Sequence, residues 1–381
     1  MSDDIILTNA RIVCRDHIVE EGTVVVRDGL IAAVEEGPSH VSHAIDLDGD
    51  YLLPGLVEMH TDNIEKHFLP RPGVLWPSPM AAVLSHDLQV AGAGITTVLD
   101  AIALGESKDK AERRAILGLS IPAIRQARED GLTKADHFLH LRCEVSHPDM
   151  RDLFEPFVDD PLVKLVSVMD HTPGQRQWWD LKKYVQYNKG EHWSEEELDR
   201  RVRHLKDLQG EHAHRHRREV AGACRDRGIP LASHDDATRE HIEESLEDGA
   251  TIAEFPLTLE AAGLARSHGM RTIMGAPNVV RGQSHSGNMS ALDCAGAGLL
   301  DGLSSDYVPA SLLFAAFLLA EKINWPLTEA VATVSDNIAR MVGLSDRGRI
   351  EPGLRADLVW VMDRQHCPVV RQVWSAGRRV I

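Results

Sequence analysis

The chain has 381 residues, 43% hydrophobic and 26% charged, enough to bury a large core and carry a second, smaller unit. Its 41 Lys+Arg against 58 Asp+Glu give a net charge of −17, which disfavours nucleic acid or an anionic membrane surface as a main partner. Any polyanionic substrate must therefore be held by a local basic pocket, against the field of the whole molecule.

The first residues, MSDDIILTNARIVCRD, are acidic at once and lack the basic start and apolar run of a signal peptide. No apolar stretch approaches the ~18–20 residues of a membrane span. Cys14, Cys143, Cys224, Cys294 and Cys367 are widely spaced, with no CxxC, so neither a disulfide framework nor a thiolate zinc knuckle is expected. A cytoplasmic protein is the expectation.

The two ends share one texture. Short β-type runs fill the first fifty residues, broken at Asp28-Gly29, a hairpin signal, and similar runs return from Ala356 onward. Neither piece is long enough to cover both faces of its own sheet. The expectation is one small β-sandwich domain made of residues 1–53 and 346–381.

Between them, residues 54–345 alternate apolar β-rich runs with helical stretches. Eight runs are recognisable, at 55–60, 95–100, 138–144, 163–170, 230–234, 251–256, 271–278 and 299–306. Several are continuous in Val, Ile, Leu and Met, as in parallel strands buried on both faces. The fold class read from this is α/β, a distorted (β/α)₈ TIM barrel with the β-sandwich attached. A charged helical insertion is expected at about 172–228. Its His212-Ala213-His214 is a decoy, because on a helix the two side chains diverge, and a surface histidine cluster is the expected reading.

Polar residues at the strand ends carry the chemistry. The first run ends in His60-Thr61-Asp62, which at strand spacing presents imidazole and carboxylate on one side. The pattern recurs with His171 after the fourth run, His234 at the end of the fifth, followed by two aspartates, Glu144 at the end of the third and Asp306 at the end of the eighth. So many ionisable groups at buried strand ends require partners. A shared centre of one or two divalent metal ions supplies them, Zn²⁺ first, with Mn²⁺ or Fe²⁺ as alternatives.

The signature LLPGLVEMHTD, these strand-end residues and the closing GRIEPGLRADLVWV resemble the amidohydrolase superfamily over the whole chain. That resemblance implies His60, Asp62, Glu144, His171, His234 and Asp306 as metal ligands, with Asp306 also the catalytic base for the attacking water. Two departures stand out. The first strand has His-x-Asp where the superfamily usually has His-x-His, and no lysine occupies a strand end, which leaves Glu144 as the expected bridge between metals. Finer motifs, among them HTDNIEKHFLPRPGVLWP, MDHTPGQRQ, ASHDDAT and MGAPNVVRGQSHSGN, are similar to the PhnM-type diphosphatase family of the carbon–phosphorus lyase pathway. That likeness implies hydrolysis of α-D-ribose 1-methylphosphonate 5-triphosphate to the 5-phosphate and diphosphate.

A triphosphate plus a phosphonate calls for several cations and donors. Lys66, Arg71, Arg142, Arg176 and Arg281 follow or line the strand ends, and the loop from Arg281 to Asn288, with Ser284 and His285, has an oxyanion-wrapping composition. His86 and His285 either touch substrate or hydrogen-bond behind the ligands. Asn278 either caps a turn or touches substrate. All are carried as substrate-binding candidates. The competing readings are a cyclic amidase or deaminase acting on a C–N bond, and a noncatalytic scaffold barrel. A small-molecule substrate is the expected partner, and a homo-oligomer is compatible with a barrel of this size.

Overall fold

The computed structural model describes residues 4–105, 111–181, 184–185, 193–284 and 287–381, without the side chains of 111–113. Eight parallel strands form one sheet: β1 (Leu56–Thr61), β2 (Ile95–Leu104), β3 (Asp136–Glu144), β4 (Val163–Met169), β5 (Leu231–His234), β6 (Ile252–Glu254), β7 (Arg271–Gly275) and β8 (Gly302–Ser304). Neighbours pair in sequence order. The seam closes where Asp306 N donates to His60 O at 3.1 Å and Thr61 Oγ1 donates to Asp306 O at 2.6 Å. All eight expected strand runs contain a strand. Three fall well short of their apolar runs: β6 keeps only Ile252–Glu254 of the sixth, β7 stops at Gly275 because Ala276–Arg281 is a helix with Pro277 in its first turn, and only Gly302–Ser304 of the eighth run pairs.

Strand-to-helix turns at the top of the barrel are set by local chemistry. Thr258 follows β6 and caps Leu259–Ser267, and Thr238 follows β5 and caps Arg239–Glu247, each through a hydroxyl accepting a backbone N–H. Inside, Val57, Met59, Leu99, Phe138, Leu165, Ala232, Ile252 and Ile273 form a core to which every strand but β8 contributes, floored by Ile338, Ala339 and Val342.

The sandwich expected of the termini is a single mixed sheet. The strands Leu358–Arg364, Tyr51–Pro54 and Ile5–Val13 lie side by side at its centre, so both chain ends are hydrogen-bonded into one element. The expected hairpin is present, with Asp28 at φ 51° and Gly29 at φ 81° joining Ile18–Arg27 to Leu30–Glu36. Val13, Leu53, Val359, Val361 and Val373 share an apolar cluster with barrel residues such as Leu56, Ile95 and Leu312, which fixes the sheet to the barrel. The five cysteines are free. Among the described residues no helix is long and apolar enough to cross a membrane.

The insertion is dominated by one helix, Glu195–Arg227, opened by a capping box of Ser194 and Glu197 and closed by Gly228 at φ 65°. His212 and His216 stack four residues apart, with ring centroids at 5.4 Å. His216 is not a surface residue. It is buried, and one ring nitrogen donates to Val145 O at 3.0 Å, which pins the helix to the barrel.

Behind β2 and β3 lies a buried polar chain. Asp100 accepts from His86 Nε2 and His137 Nδ1, both at 2.8 Å, and His137 Nε2 reaches Asp87 at 3.3 Å. Burial works against charge on His137, yet the Asp100 carboxylate outweighs it and raises the imidazole to about 9. Burial likewise opposes charge on Asp100, and the two histidines hold it down at about 2. His137 thus stabilises the fold fully below its ordinary value near 6.5, and that contribution is lost as pH rises through about 9. His137→Gln is expected to cost about 3 kcal/mol, as for one partner removed from a buried pair. Denaturant unfolding at pH 7 and pH 10 checks this, since the gap between wild type and variant must shrink at the higher pH.

Candidate metal centre

At the C-terminal end of the barrel, three histidines converge. His60 closes β1, His234 closes β5, and His171 lies two residues past β4. The rings of His60 and His234 stack with centroids at 5.5 Å, and His171 meets His234 edge-on at 5.8 Å. The pairing of β1 with β2 shifts register between Glu58 and Thr61, a break that departs from the simple alternation the sequence suggests for this strand end. Glu58 braces the break. Its two carboxylate oxygens accept from His60 N and Ser305 N, and burial pushes it up to about 8.

Each histidine has one ring nitrogen engaged by a carboxylate. Glu254 takes His60 Nδ1 at 3.0 Å through one oxygen and His234 Nδ1 at 3.2 Å through the other. Glu144 takes His171 Nδ1 at 2.5 Å, and its other oxygen accepts from His171 N and Ser146 Oγ. A carboxylate acceptor requires each imidazole to donate from Nδ1, which leaves Nε2 as a lone-pair donor to a metal. The Nε2 atoms of His171 and His234 both face Asp235 Oδ2, at 4.0 and 3.5 Å. Among the described residues, two three-residue groups have metal-holding proximity here, His60–His234–Glu254 and His171–His234–Asp235, and they share His234.

Electrostatics suit a cation. Burial holds His60 far below its ordinary value and His234 down at about 3, so both are neutral ligands at pH 7. Burial raises Asp235 to about 6, and burial together with Asp62 raises Asp306 to about 7. Burial works against charge on Glu144, but His171 outweighs it and holds the carboxyl low. Three strand-end residues adopt the left-handed region, Asp235 at φ 58°, Phe255 at φ 54° and Asp306 at φ 53°. For Phe255 this is a strained state, and its ring walls His60 and His234 at 5.1 and 5.3 Å.

The arrangement revises several expectations. One carboxylate that the sequence reading did not single out, Glu254, spans His60 and His234, while Glu144, expected as the bridge between metals, is engaged by His171 and Ser146. Asp235 and Glu254 were missed. Both had a signal, Asp235 as the first aspartate after His234 and Glu254 as an acid at the end of the sixth apolar run. His86 is not a substrate contact, being buried between Asp100 and Asn63. Asn278 ties down a loop, accepting from Ala291 N and donating to Met289 O.

Arg142, half-buried on β3, is placed differently. Its charge works against protonation of His60, His140 and His234, opposes Glu144 at His171, which is raised overall, and counters the raised values of Asp235 and Asp306, so it borders the whole centre. Its Nε is buried without a hydrogen-bond partner. Lys66 is exposed, donates to Tyr307 O and lies near Asp306. Arg71 and Arg281 are exposed, Ser284 is half-buried, and His285 lies outside the described residues.

Arg176 does not present itself to a ligand. It is buried and ion-paired with Asp236 and with Glu244 at 2.7 Å. Arg176→Ala is therefore expected to destabilise the protein by about 3–5 kcal/mol, because it strands buried Asp236, while changing KM little. Denaturant melts and steady-state kinetics on one preparation decide the point, and a large KM increase at unchanged stability would reverse it.

A family profile described as the amidohydrolase family matches residues 282–381. Alpha-D-ribose 1-methylphosphonate 5-triphosphate diphosphatase of Escherichia coli (strain K12) is 45% identical over 378 residues, 98% of this chain and 100% of that one. Imidazolonepropionase of Ruegeria sp. (strain TM1040) is 44% identical over 68 residues, 16% of this chain and 17% of its own. Among solved structures, dihydropyrimidinase from Brevibacillus agri NCHU1002 superposes with a TM-score of 0.65 at 14% identity, covering 100% of this chain and 95% of that one. N-acetylglucosamine-6-phosphate deacetylase from Pasteurella multocida gives 0.62 at 12% identity, with 99% of each chain covered. At such identities these structures establish the shared fold. The end-to-end match establishes more: the chain belongs to the amidohydrolase superfamily and, within it, to the family of the E. coli diphosphatase.

Proposed function

We propose that the chain is a metal-dependent hydrolase that cleaves α-D-ribose 1-methylphosphonate 5-triphosphate to α-D-ribose 1-methylphosphonate 5-phosphate and diphosphate. The observation that carries this reading is the 45% identity to the E. coli diphosphatase across all of its length. Residues 54–345 are taken as the catalytic unit, residues 1–53 with 346–381 as its companion domain, and the cytoplasm as its location.

The strand-end residues fit a divalent cation, because three imidazoles and two aspartates converge with one ring nitrogen of each histidine already engaged by a carboxylate, and His60 and His234 are held neutral by burial. His60, His171, His234, Asp235 and Asp306 are assigned as the groups that hold one or two ions, with Glu144 and Glu254 orienting the histidines and Asp62 beside Asp306. Zn²⁺ is the first choice, with Mn²⁺ and Fe²⁺ next. The cation supplies Lewis acidity and lowers the pKa of water in its shell from 15.7 toward ~7.

The chain's own groups do the rest. The half-buried guanidinium of Arg142, bordering the centre, faces a phosphoryl oxygen of the substrate and counters charge in the transition state. Lys66 and the exposed Arg71 and Arg281 meet the outer phosphates. Asp306, at the closing seam of the barrel beside His60 and Asp62, accepts the proton of the attacking water.

Two assays test this. Metal-loaded enzyme given the ribosyl triphosphate must release diphosphate, and release of orthophosphate alone, or activity confined to cyclic amides, refutes the assignment. Asp306→Asn is expected to lower kcat about 10²–10⁴-fold. Near-normal turnover with metal bound removes Asp306 from the role of base.

A further inference from the structure

The barrel has a second concave site at its opposite end. A cavity of about 590 Å³ opens beneath the N-terminal ends of β6, β7 and β8, lined by Arg15, Arg271, Arg340, Asp301 and Asp336 with Ile252 at the back. We propose that this cavity is an oligophosphate-binding site, separate from the metal centre.

The argument is one of charge and unused donors. Asp336 pairs with Arg15, Arg340 and Arg349 at 3.0, 3.0 and 3.1 Å. Asp301 pairs with Arg266 at 3.2 Å and Arg271 at 3.0 Å. Five guanidinium groups thus converge on two aspartates, three of them, Arg15, Arg271 and Arg340, on the cavity wall; among the described residues, only Arg349 of the five has a further acid partner, Glu351 at 2.6 Å. The cavity wall itself, with three arginines and two aspartates, carries an excess of one positive charge in a chain whose net charge is −17.

The aspartates also aim the arginines. Arg15 uses Nε on Asp336 and one terminal nitrogen on Asn337, Arg340 uses Nε on Asp336, and Arg271 uses one terminal nitrogen on Asp301. Each guanidinium carries five N–H donors, so several remain on every one. The side chains of Arg15, Arg271 and Arg340 are 46%, 60% and 61% exposed, so those donors are reachable from solvent. Forked donors held by carboxylates around a concave floor match phosphate oxygens bidentately. The volume exceeds what a single phosphate needs and suits two or three linked ones. Such a chain of phosphates comes free as diphosphate or attached to a nucleoside.

Calorimetric titration of the metal-loaded enzyme tests the site with two probes, inorganic diphosphate and α,β-methylene-ATP. Wild type is expected to bind at least one probe at two sites. Arg271→Glu with Arg340→Glu should lose one of them while turnover stays at the wild-type level. Arg142→Gln should lose the other and keep the far site, whose affinity falls with added salt. The milder Arg271→Gln, read beside a thermal melt, should weaken the far site about tenfold, as for one charge-assisted hydrogen bond. Whichever probe fills the far site identifies the source of the phosphates. A single site for both probes in wild type, or two sites surviving the double charge reversal, overturns the proposal.

Discussion

Replacing His234 by Asn is expected to remove bound metal and lower diphosphate release by about 10³-fold or more, the scale set by losing the ion that activates water. No other residue belongs to both three-residue groups at the barrel mouth. Its Nδ1 is held by Glu254, its Nε2 faces Asp235, and its ring stacks on His60 and abuts Phe255. Loss of the imidazole therefore breaks both groups at once, whereas loss of His60 or His171 breaks one. Elemental analysis after gel filtration, with diphosphate release on the same sample, makes the measurement. A thermal melt separates this loss from unfolding. Retention of full metal content by the variant would show that the ions lie elsewhere.

Arg142→Gln is expected to reduce kcat/KM by about 10²–10³-fold, comparable to removing one donor from an oxyanion site. Metal content should not change, because Arg142 is a cation beside the ligands and not one of them. Stability should hold or rise, since the substitution deletes a charge whose buried Nε has no partner in the protein. A residue that merely neutralised Glu144 would give the opposite pattern, a less stable protein with nearly normal kinetics. Glu144 does not need that service, because His171 and Ser146 already satisfy it. Kinetics, metal analysis and unfolding of the same variant distinguish the two roles.

The larger architecture was legible from local pattern. Each barrel strand overlaps one of the eight runs, and several of these are rich in Val, Ile and Leu because a parallel strand covered on both faces buries most of its side chains. His60, Glu144, His234 and Asp306 were conspicuous for the same reason, as the charged ends of apolar runs. The Asp28-Gly29 turn was also visible, since its hydrogen bonds and dihedrals involve residues a few positions apart.

What the sequence by itself determined, then, is the barrel, the terminal strands and the chemical kind of centre at the mouth. Tertiary structure decided which carboxylate serves which histidine and which arginines stay available. Glu254 meets His60 across 194 positions of chain, a contact created only when the sheet curls until β1 and β6 face one space. Arg176 and Arg142 read alike as strand-end cations, yet Arg176 is buried against Asp236 and Glu244, while Arg142 finds no acid for its Nε. Charge pairing in a folded chain depends on distances that sequence spacing does not encode, so the arginines could be counted from sequence but not assigned. The far-end cavity follows the same rule in part: Arg340 reaches Asp336 from four positions along one helix, whereas Arg15 meets that aspartate across 321 positions of chain, a contact only the tertiary fold creates.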